Sequence, residues 1–570
     1  MKRFVLLVVV AALTAVAIRY GLRVSQKTPN ANVVALLPHE TIAFMHVPDF
    51  NRTRDQWHQS DLYQLYREPA VQDFLQKPLA KLPKRNTTSQ TLQEIEQLDP
   101  KDGFVALISI DNNNPKFAAG LRYRGRQDEA EGIIGRWRSR LVGNGPKRET
   151  VQYEEHRIDI VGVGPNELAT VYDGGWFFAS NDVAELKALL DRADHRSKDR
   201  QPTLGADDAF RAAMAHMPSS YAALFYLQPR TFADKLMSLR AAAGAQLPAD
   251  QKTILEQMRS VCGAVRFDNG KIHDLLFVGM PKLDQNASLT RSSLQLGTKE
   301  TFLYLATLLN VEKFAAIHEQ SAGTPFEGWL RKVFEASARN GVTVDDWKAA
   351  FELELGSLAD WSENARWPSL IATLPVKDPV RATKIVNTLT SVIDEDVPWT
   401  RTEKDGVHYF FMRSSASLFA ITPTIALSNR ILVAGLDSVS VEAAMKWSTR
   451  SSGELVNSPS YKAAARLVPA PTNFFAYVDM PLFYSRLDAA LRPMLLMSAA
   501  FMPAISDYID VNKVPAPELV TKHLSPIVSS QRYVGDGYVA ESIGPITLNQ
   551  AAIGLGVPAV FWAIAHRQGR

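Results

Sequence analysis

Eleven histidines, one cysteine and a few carboxylate pairs are the side chains of this 570-residue chain best suited to chemistry. The histidines are scattered, and none stands at metal-ligand spacing from another. HExxH, CxxC and the aspartate-rich calcium loop are all absent. His39, His46 and His58 are near in sequence but fall on different elements, so local contacts or surface polarity are expected of them. Cys262 sits in an apolar strand-like run, SVCGAVRF, with no base beside it to make a thiolate; a small buried hydrophobe is expected there. Glu154-Glu155, Asp345-Asp346 and Asp394-Glu395-Asp396 fall where turns and helix starts belong, which makes them solvated turn or helix N-terminal charges. There is no GxSxG elbow and no GxxxxGK[ST] loop, and Gly162-Val163-Gly164-Pro165 lacks the third glycine and the helix of a dinucleotide site. No catalytic residue, metal ligand or cofactor is assigned, and the chain is not read as an enzyme.

The scaffold around these groups is an ordinary globular one: 46% apolar, 22% charged and a net charge of +3. Lys and Arg are not clustered, so nucleic acid is not an expected partner. The length exceeds what one hydrophobic core supports, which implies several domains.

Both ends are apolar. Met1-Lys2-Arg3 is followed by FVLLVVVAALTAVAI, residues 4 to 18, which reads as a signal peptide or an uncleaved anchor. As a helix it spans roughly 22 Å, and Tyr20 to Leu22 with a snorkelling Arg19 bring it nearer the roughly 30 Å of a bilayer core. Phe4, Leu6, Leu7, Val10, Leu13 and Ile18 are the candidate membrane-contacting side chains, and Ala15-Val16-Ala17 also fits a cleavage site. AAIGLGVPAVFWAIA, residues 551 to 565, is a second candidate membrane-contacting segment.

Between the ends, six sequence echoes recur in one order roughly 250 residues apart. Glu300 to Leu305 echoes Glu40 to Met45, and Gly356 to Ala359 with Pro368 to Ala372 echoes Gly103 to Ala106 with Pro115 to Ala119. Ile431 to Ala434 and Asp437 echo Phe177 to Ala179 and Asp182; Tyr461 to Pro469 echoes Phe210 to Pro218. Phe475, Tyr477 and Pro481 echo Ala223, Phe225 and Pro229, and Arg532 to Gly537 echoes Arg266 to Gly270 as a closing hairpin. The pattern predicts an α+β chain: residues 1–22 signal or anchor, 23–35 linker, 36–282 first repeat domain, 283–299 linker, 300–548 second repeat domain, and 549–570 apolar tail. Period-2 strands joined by short turns predict, for each domain, a curved antiparallel sheet with helices on one face. Arg52 to Leu65 and Ala70 to Leu82 read as two helices separated at Pro69. Their aromatics Trp57, Tyr63, Tyr66 and Phe74 form a candidate interaction patch, although Leu62, Leu65 and Tyr66 fall at core spacing.

The opening LLPHETIAFMHVPDFNRTRDQWHQSDLYQLYREPAVQDFL and the closing KHLSPIVSSQRYVGDGYVAESIGP resemble a bacterial family of unknown function. Its members look like N-terminally anchored envelope proteins. The resemblance implies an envelope compartment and carries no active site. The short basic N-terminus suggests that the bulk of the chain is exported, anchored in the inner membrane with the domains facing the periplasm, or released if the leader is cleaved. The chain is thus expected to be an envelope binding or scaffold protein with an unknown protein or lipid partner. The rival readings are an apolar-ligand-handling module and a divergent envelope hydrolase.

Overall fold

The computed structural model describes residues 33–81, 94, 97–111, 114–142, 148–162, 167–194, 202–234, 256–282, 288–311, 327–394, 399–412, 422–449, 453–501 and 509–550. The candidate anchor at Phe4 to Ile18, the 551–565 segment, the middle of the DNNNP turn and most of the carboxylate run at 394–396 lie outside them. Among the described residues no helix is long and apolar enough to cross a membrane. The fold is mixed α+β with antiparallel strand pairing, and it divides into two units: residues through Lys282 with Tyr533–Glu541, and the remainder.

In the first unit, β1 (Ala43–Val47) leads into α1 (Phe50–His58), α2 (Asp61–Arg67) and α3 (Pro69–Lys81). The hairpin β2 (Pro100–Asp111) and β3 (Asn114–Tyr123) follows, then α4 (Gln127–Val142) and a meander of β4 (Arg148–Tyr153), β5 (His156–Val161), β6 (Leu168–Asp173) and β7 (Trp176–Ser180). Next come α5 (Val183–Ala193), α6 (Asp208–Ala215), β8 (Ala223–Leu227), β9 (Ser260–Asp268) and β10 (Lys271–Gly279). Their spatial order is β4-β5-β6-β7-β3-β2-β1-β8-β9-β10.

The second unit starts with β11 (Thr301–Leu308), α7 (Glu327–Arg339) and α8 (Val344–Ala350), then β12 (Glu354–Asp360), β13 (Ser369–Pro375) and α9 (Pro379–Asp394). It continues with β14 (Trp399–Lys404), β15 (Val407–Met412), β16 (Thr424–Leu427), β17 (Ile431–Gly435) and α10 (Ser438–Trp447). The helices α11 (Glu454–Asn457) and α12 (Pro459–Ala465), β18 (Phe474–Val478), the long α13 (Met480–Phe501), α14 (Pro517–Thr521) and β19 (Ile527–Tyr533) complete it. Its strands are ordered β14-β15-β16-β17-β13-β12-β11-β18-β19. A last strand, β20 (Tyr538–Gly544), begins inside the stretch that belongs to the first unit and pairs with β10.

Short polar side chains start the helices by taking orphan N–H groups: Asp49 for α1, Asp182 for α5, Asp207 for α6, and a Thr343–Asp346 capping box for α8. Ser60 does the same for α2, accepting from Tyr63 N at 3.2 Å. It therefore splits the single helix expected over 52–65 into two, and Pro69 begins α3 rather than only interrupting a helix.

Helices cover both faces of each sheet, not one. In β7, Phe178 packs under Leu186, Leu189 and Leu190 of α5, while its neighbour Phe177 turns to the opposite face and meets Ile133 and Ile134 of α4. In β17, Val433 faces Val441 of α10 and Leu432 faces Ile385 of α9. Consecutive apolar residues in a strand leave both faces to be covered. The segments expected as linkers also carry core residues. Val33 is buried in the first core, and Leu289, Leu294 and Leu296 are buried in the second.

Candidate functional site

One cleft in the first unit gathers charged and apolar groups from distant parts of the chain. Its volume is about 230 Å³, and it is lined by His216, Met217, Pro218, Ala264, Arg266, His273, Leu275 and Glu541. Three elements place these residues. The hairpin β9–β10 turns at Asn269-Gly270, both at positive φ, which sets Arg266 opposite His273 and Ala264 opposite Leu275 on one face. Helix α6 stops at its C-cap, His216, because Pro218 cannot continue the ladder; the imidazole stacks on Phe277 with ring centres 4.5 Å apart. Glu541 comes from β20, two residues beyond the core residue Val539 and so on its face.

The bonding fixes the protonation pattern. Arg266 donates from Nε at 3.0 Å and from Nη2 at 2.8 Å to His273 Nδ1. A guanidinium only donates, so Nδ1 presents its lone pair, and the ring proton is assigned to Nε2, 3.3 Å from Glu541 Oε2. Asp268 Oδ2 also stands 3.4 Å from Nδ1, but two acceptors cannot bond; in this state Asp268 pairs with Arg266 Nη2 at 3.1 Å. His216 Nε2 lies 3.0 and 3.2 Å from the two oxygens of Asp536. His273 is 6% exposed and Glu541 12%, whereas Arg266 is 41% exposed at the mouth.

A second polar chain lies on the same face. His46 is in register with Leu224, and Leu224 with Ala264 of the cleft wall. His46 Nε2 is 2.9 Å from Asp102 Oδ1, and its Nδ1 is 3.0 Å from the Tyr221 hydroxyl. With a carboxylate accepting at Nε2, the ordering is Tyr221 O–H to Nδ1 and Nε2–H to Asp102, the polarity of an Asp-His-hydroxyl relay. Burial, then the nearby Asp102 charge, pushes Tyr221 up to about 12, so the phenol keeps its proton and is no nucleophile at neutral pH.

Cys262, in the strand beside Tyr226, is fully buried, and burial pushes its thiol up to about 12. Both groups hold their protons more tightly folded than unfolded. Their stabilising contribution is complete below about pH 9 and declines as pH climbs toward about 12. A thiol reagent at about pH 8 is expected to leave the native protein unmodified and to label its single cysteine once denaturant is added; fast labelling of the native chain would contradict this burial.

The aromatic patch is partly assembled. Trp57 meets Tyr63 edge-on at 6.0 Å and Phe267 at 6.3 Å, and Tyr63 lies 6.4 Å from Tyr66 and stacks on His58 at 4.4 Å. Phe74, half-buried on α3, has no ring contact among these. No residue of α2 is buried and Tyr66 is 43% exposed, so the i, i+3, i+4 spacing of Leu62, Leu65 and Tyr66 does not mark a core face. His39 faces Asp207 at 3.4 Å. Glu154 occupies a turn at positive φ and Asp346 a helix start.

Sequence spacing missed His156, which lies 2.7 Å from Asp194 through Nε2 and 4.0 Å from Asp173 through Nδ1. The two aspartates address opposite ring nitrogens, whereas a metal ion binds through one. The group is better described as a tie between β5, the end of β6 and the end of α5.

No protein-family model and no curated protein matches the chain. Two solved structures are similar to parts of it: crystal form IV of TP0453, over 43% of this chain and 79% of that one, and crystal form III, over 46% and 83%. Both are 8% identical with a TM-score of 0.24, a likeness too low to carry an argument about fold or function.

Proposed function

We propose that this chain is an envelope binding protein, anchored by its N-terminal apolar segment and facing the periplasm. In this reading two copies of one α+β domain make up the chain, and the first copy holds a small polar ligand in the cleft at the β9–β10 hairpin. The observation that carries the binding role is the convergence of His216, Arg266, His273 and Glu541 on a concave, partly apolar wall. The cleft is smaller than the usual range for drug-sized ligands, which favours a compact hydrophilic molecule.

The duplication is supported by the two strand orders given above, which run parallel from β4 and β14 to β9 and β19. It is supported also by matching pairings: Phe44 stands between Ala106 and Tyr226, and Tyr304 between Leu358 and Tyr477. The anchor rests on the basic Met1-Lys2-Arg3 and the apolar run after it.

Met217→Trp would fill the cleft without removing a charge. A thermal-shift screen of small hydrophilic compounds on the full chain is expected to find at least one that raises Tm of the parent and leaves Met217→Trp unmoved. If every such compound shifts both proteins equally, the cleft is not the binding site. Protease added to spheroplasts is expected to digest the domains; their protection with an intact inner membrane would reverse the orientation.

A further inference from the structure

We infer that the cleft is an acid-operated anion site, in which protonation of His273 releases the Arg266 guanidinium to a small oxyanion. The inference rests on reading the cleft as a ligand site and adds the class of ligand and the condition for binding it.

Its basis is the double environment of His273 Nδ1. A donor, Arg266, stands at 2.8 Å and an acceptor, Asp268, at 3.4 Å. While the ring is neutral only the donor can bond. Once Nδ1 carries a proton, Arg266 becomes a like charge at contact distance, and Asp268 becomes the partner for the new N–H. Nε2–H meanwhile remains directed at Glu541. Protonation therefore exchanges Arg266 for Asp268 at one nitrogen: Arg266 loses its acceptor on the ring and has to share the Asp268 carboxylate with the new N–H. Histidine changes charge between about pH 5 and 8, where arginine, aspartate and glutamate do not.

The groups facing His273 are Arg266 and Asp268 from β9 and Glu541 from β20, while Asp274, next along β10, turns to the other face. His216 with Asp536 completes the charged surroundings. The four titratable lining side chains sum to zero while both histidines are neutral, and to two positive charges once both are protonated. Asp268 and Asp536 lie outside the lining: Asp268 accepts a hydrogen bond from the new Nδ1–H of His273, while Asp536 already accepts from His216 Nε2–H. Arg266, the most exposed of the four titratable lining side chains, is then presented to an entering anion in its planar two-pronged form.

Sulfate is a suitable probe because its charge does not change over this range. Calorimetric titration of the full chain at about pH 5.5 and about pH 7.5 is expected to show sulfate binding at least about tenfold tighter in acid. Arg266→Gln should abolish the binding in acid. His273→Gln, whose side-chain oxygen still accepts from Arg266 but takes no proton, should bind more weakly than the parent in acid and lose most of the pH dependence, with His216 supplying what remains. Circular dichroism and Tm establish that each variant is folded; if Arg266→Gln fails to fold, Arg266→Lys, which keeps the charge and loses the two-pronged contact, should weaken binding in acid. Equal sulfate affinity of the parent at the two pH values, or undiminished binding by the folded arginine variant, overturns the inference. If sulfate shows no pH dependence while Met217→Trp still removes the ligand-induced Tm shift, only the acid-operated anion site falls. If Met217→Trp also changes nothing, the cleft reading falls with it.

Discussion

Glu354→Gln is expected to lower the stability of the second unit by about 3–5 kcal/mol, even though one acceptor oxygen survives. Glu354 is 4% exposed at the start of β12. Its Oε2 accepts from the backbone N–H groups of Thr290 and Arg291 at 2.6 and 2.9 Å and from the Thr290 hydroxyl at 2.8 Å. Its Oε1 accepts from Ser292 N at 2.7 Å and from the Ser292 hydroxyl at 3.2 Å. One carboxylate thus satisfies three successive backbone donors, including Arg291, which is held at φ +57. That segment delivers Leu289, Leu294 and Leu296 to the core. An amide in its place turns N–H against N–H at one of the two sites, so the variant both loses bonds and leaves a donor orphaned. Thermal unfolding followed with hydrogen exchange should show the 288–296 segment opening early, while the first unit is unchanged. A loss below about 1 kcal/mol would mean that water replaces the carboxylate at little cost.

Much of this framework was legible in the sequence, and the failures have physical causes. Alternating apolar residues marked the strands, and Asn269-Gly270 marked a two-residue hairpin. That turn alone fixes Arg266 opposite His273, so half of the cleft was readable from pairing arithmetic. Its other half was not: Glu541 follows His273 by 268 residues, and no local pattern announces such a partner. Glu354 was invisible for the same reason.

The echo that set Tyr477 against Phe225 is one residue out. Tyr304 pairs with Tyr477 as Phe44 pairs with Tyr226, because the second unit has one more residue between this strand and its proline than the first. A slip of one moves every side chain to the other face, and indeed Tyr226 and Tyr477 are buried while Phe225 is 37% exposed. Consecutive apolar residues at Phe177-Phe178 carried the signal for helices on both faces, which period-2 reasoning alone passed over.

A buried charge on α1 gives the second large expected effect, and its sign runs against intuition. Arg54 has no exposed surface. Its Nε and Nη2 share one acceptor, Asp55 Oδ1, at 3.0 and 2.9 Å, and Nη1 has no partner. The half-exposed Asp55 offsets little of the desolvation of a guanidinium sunk in the fold. Arg54→Met keeps the volume and removes that cost, so denaturant unfolding of the full chain should show it neutral or more stable by about 1–3 kcal/mol. Asp55→Asn leaves the cation buried without a counter-charge and should cost about 2 kcal/mol, below the usual range because Asp55 is solvent-screened. In the double variant the asparagine should cost almost nothing, since its penalty exists only while Arg54 does.

The pair also sets a pH dependence. Burial first, then Arg54, holds His58 below the ordinary histidine range. The unfolded chain takes up this proton more readily than the folded one, so the parent loses stability as pH falls through and below about 6.5. Arg54→Met removes one of the two main causes and should flatten that decline. An Arg54→Met variant destabilised by more than about 2 kcal/mol would show that the guanidinium stabilises the fold through contacts other than Asp55, and an unaltered acid limb would show that Arg54 does not hold His58 down.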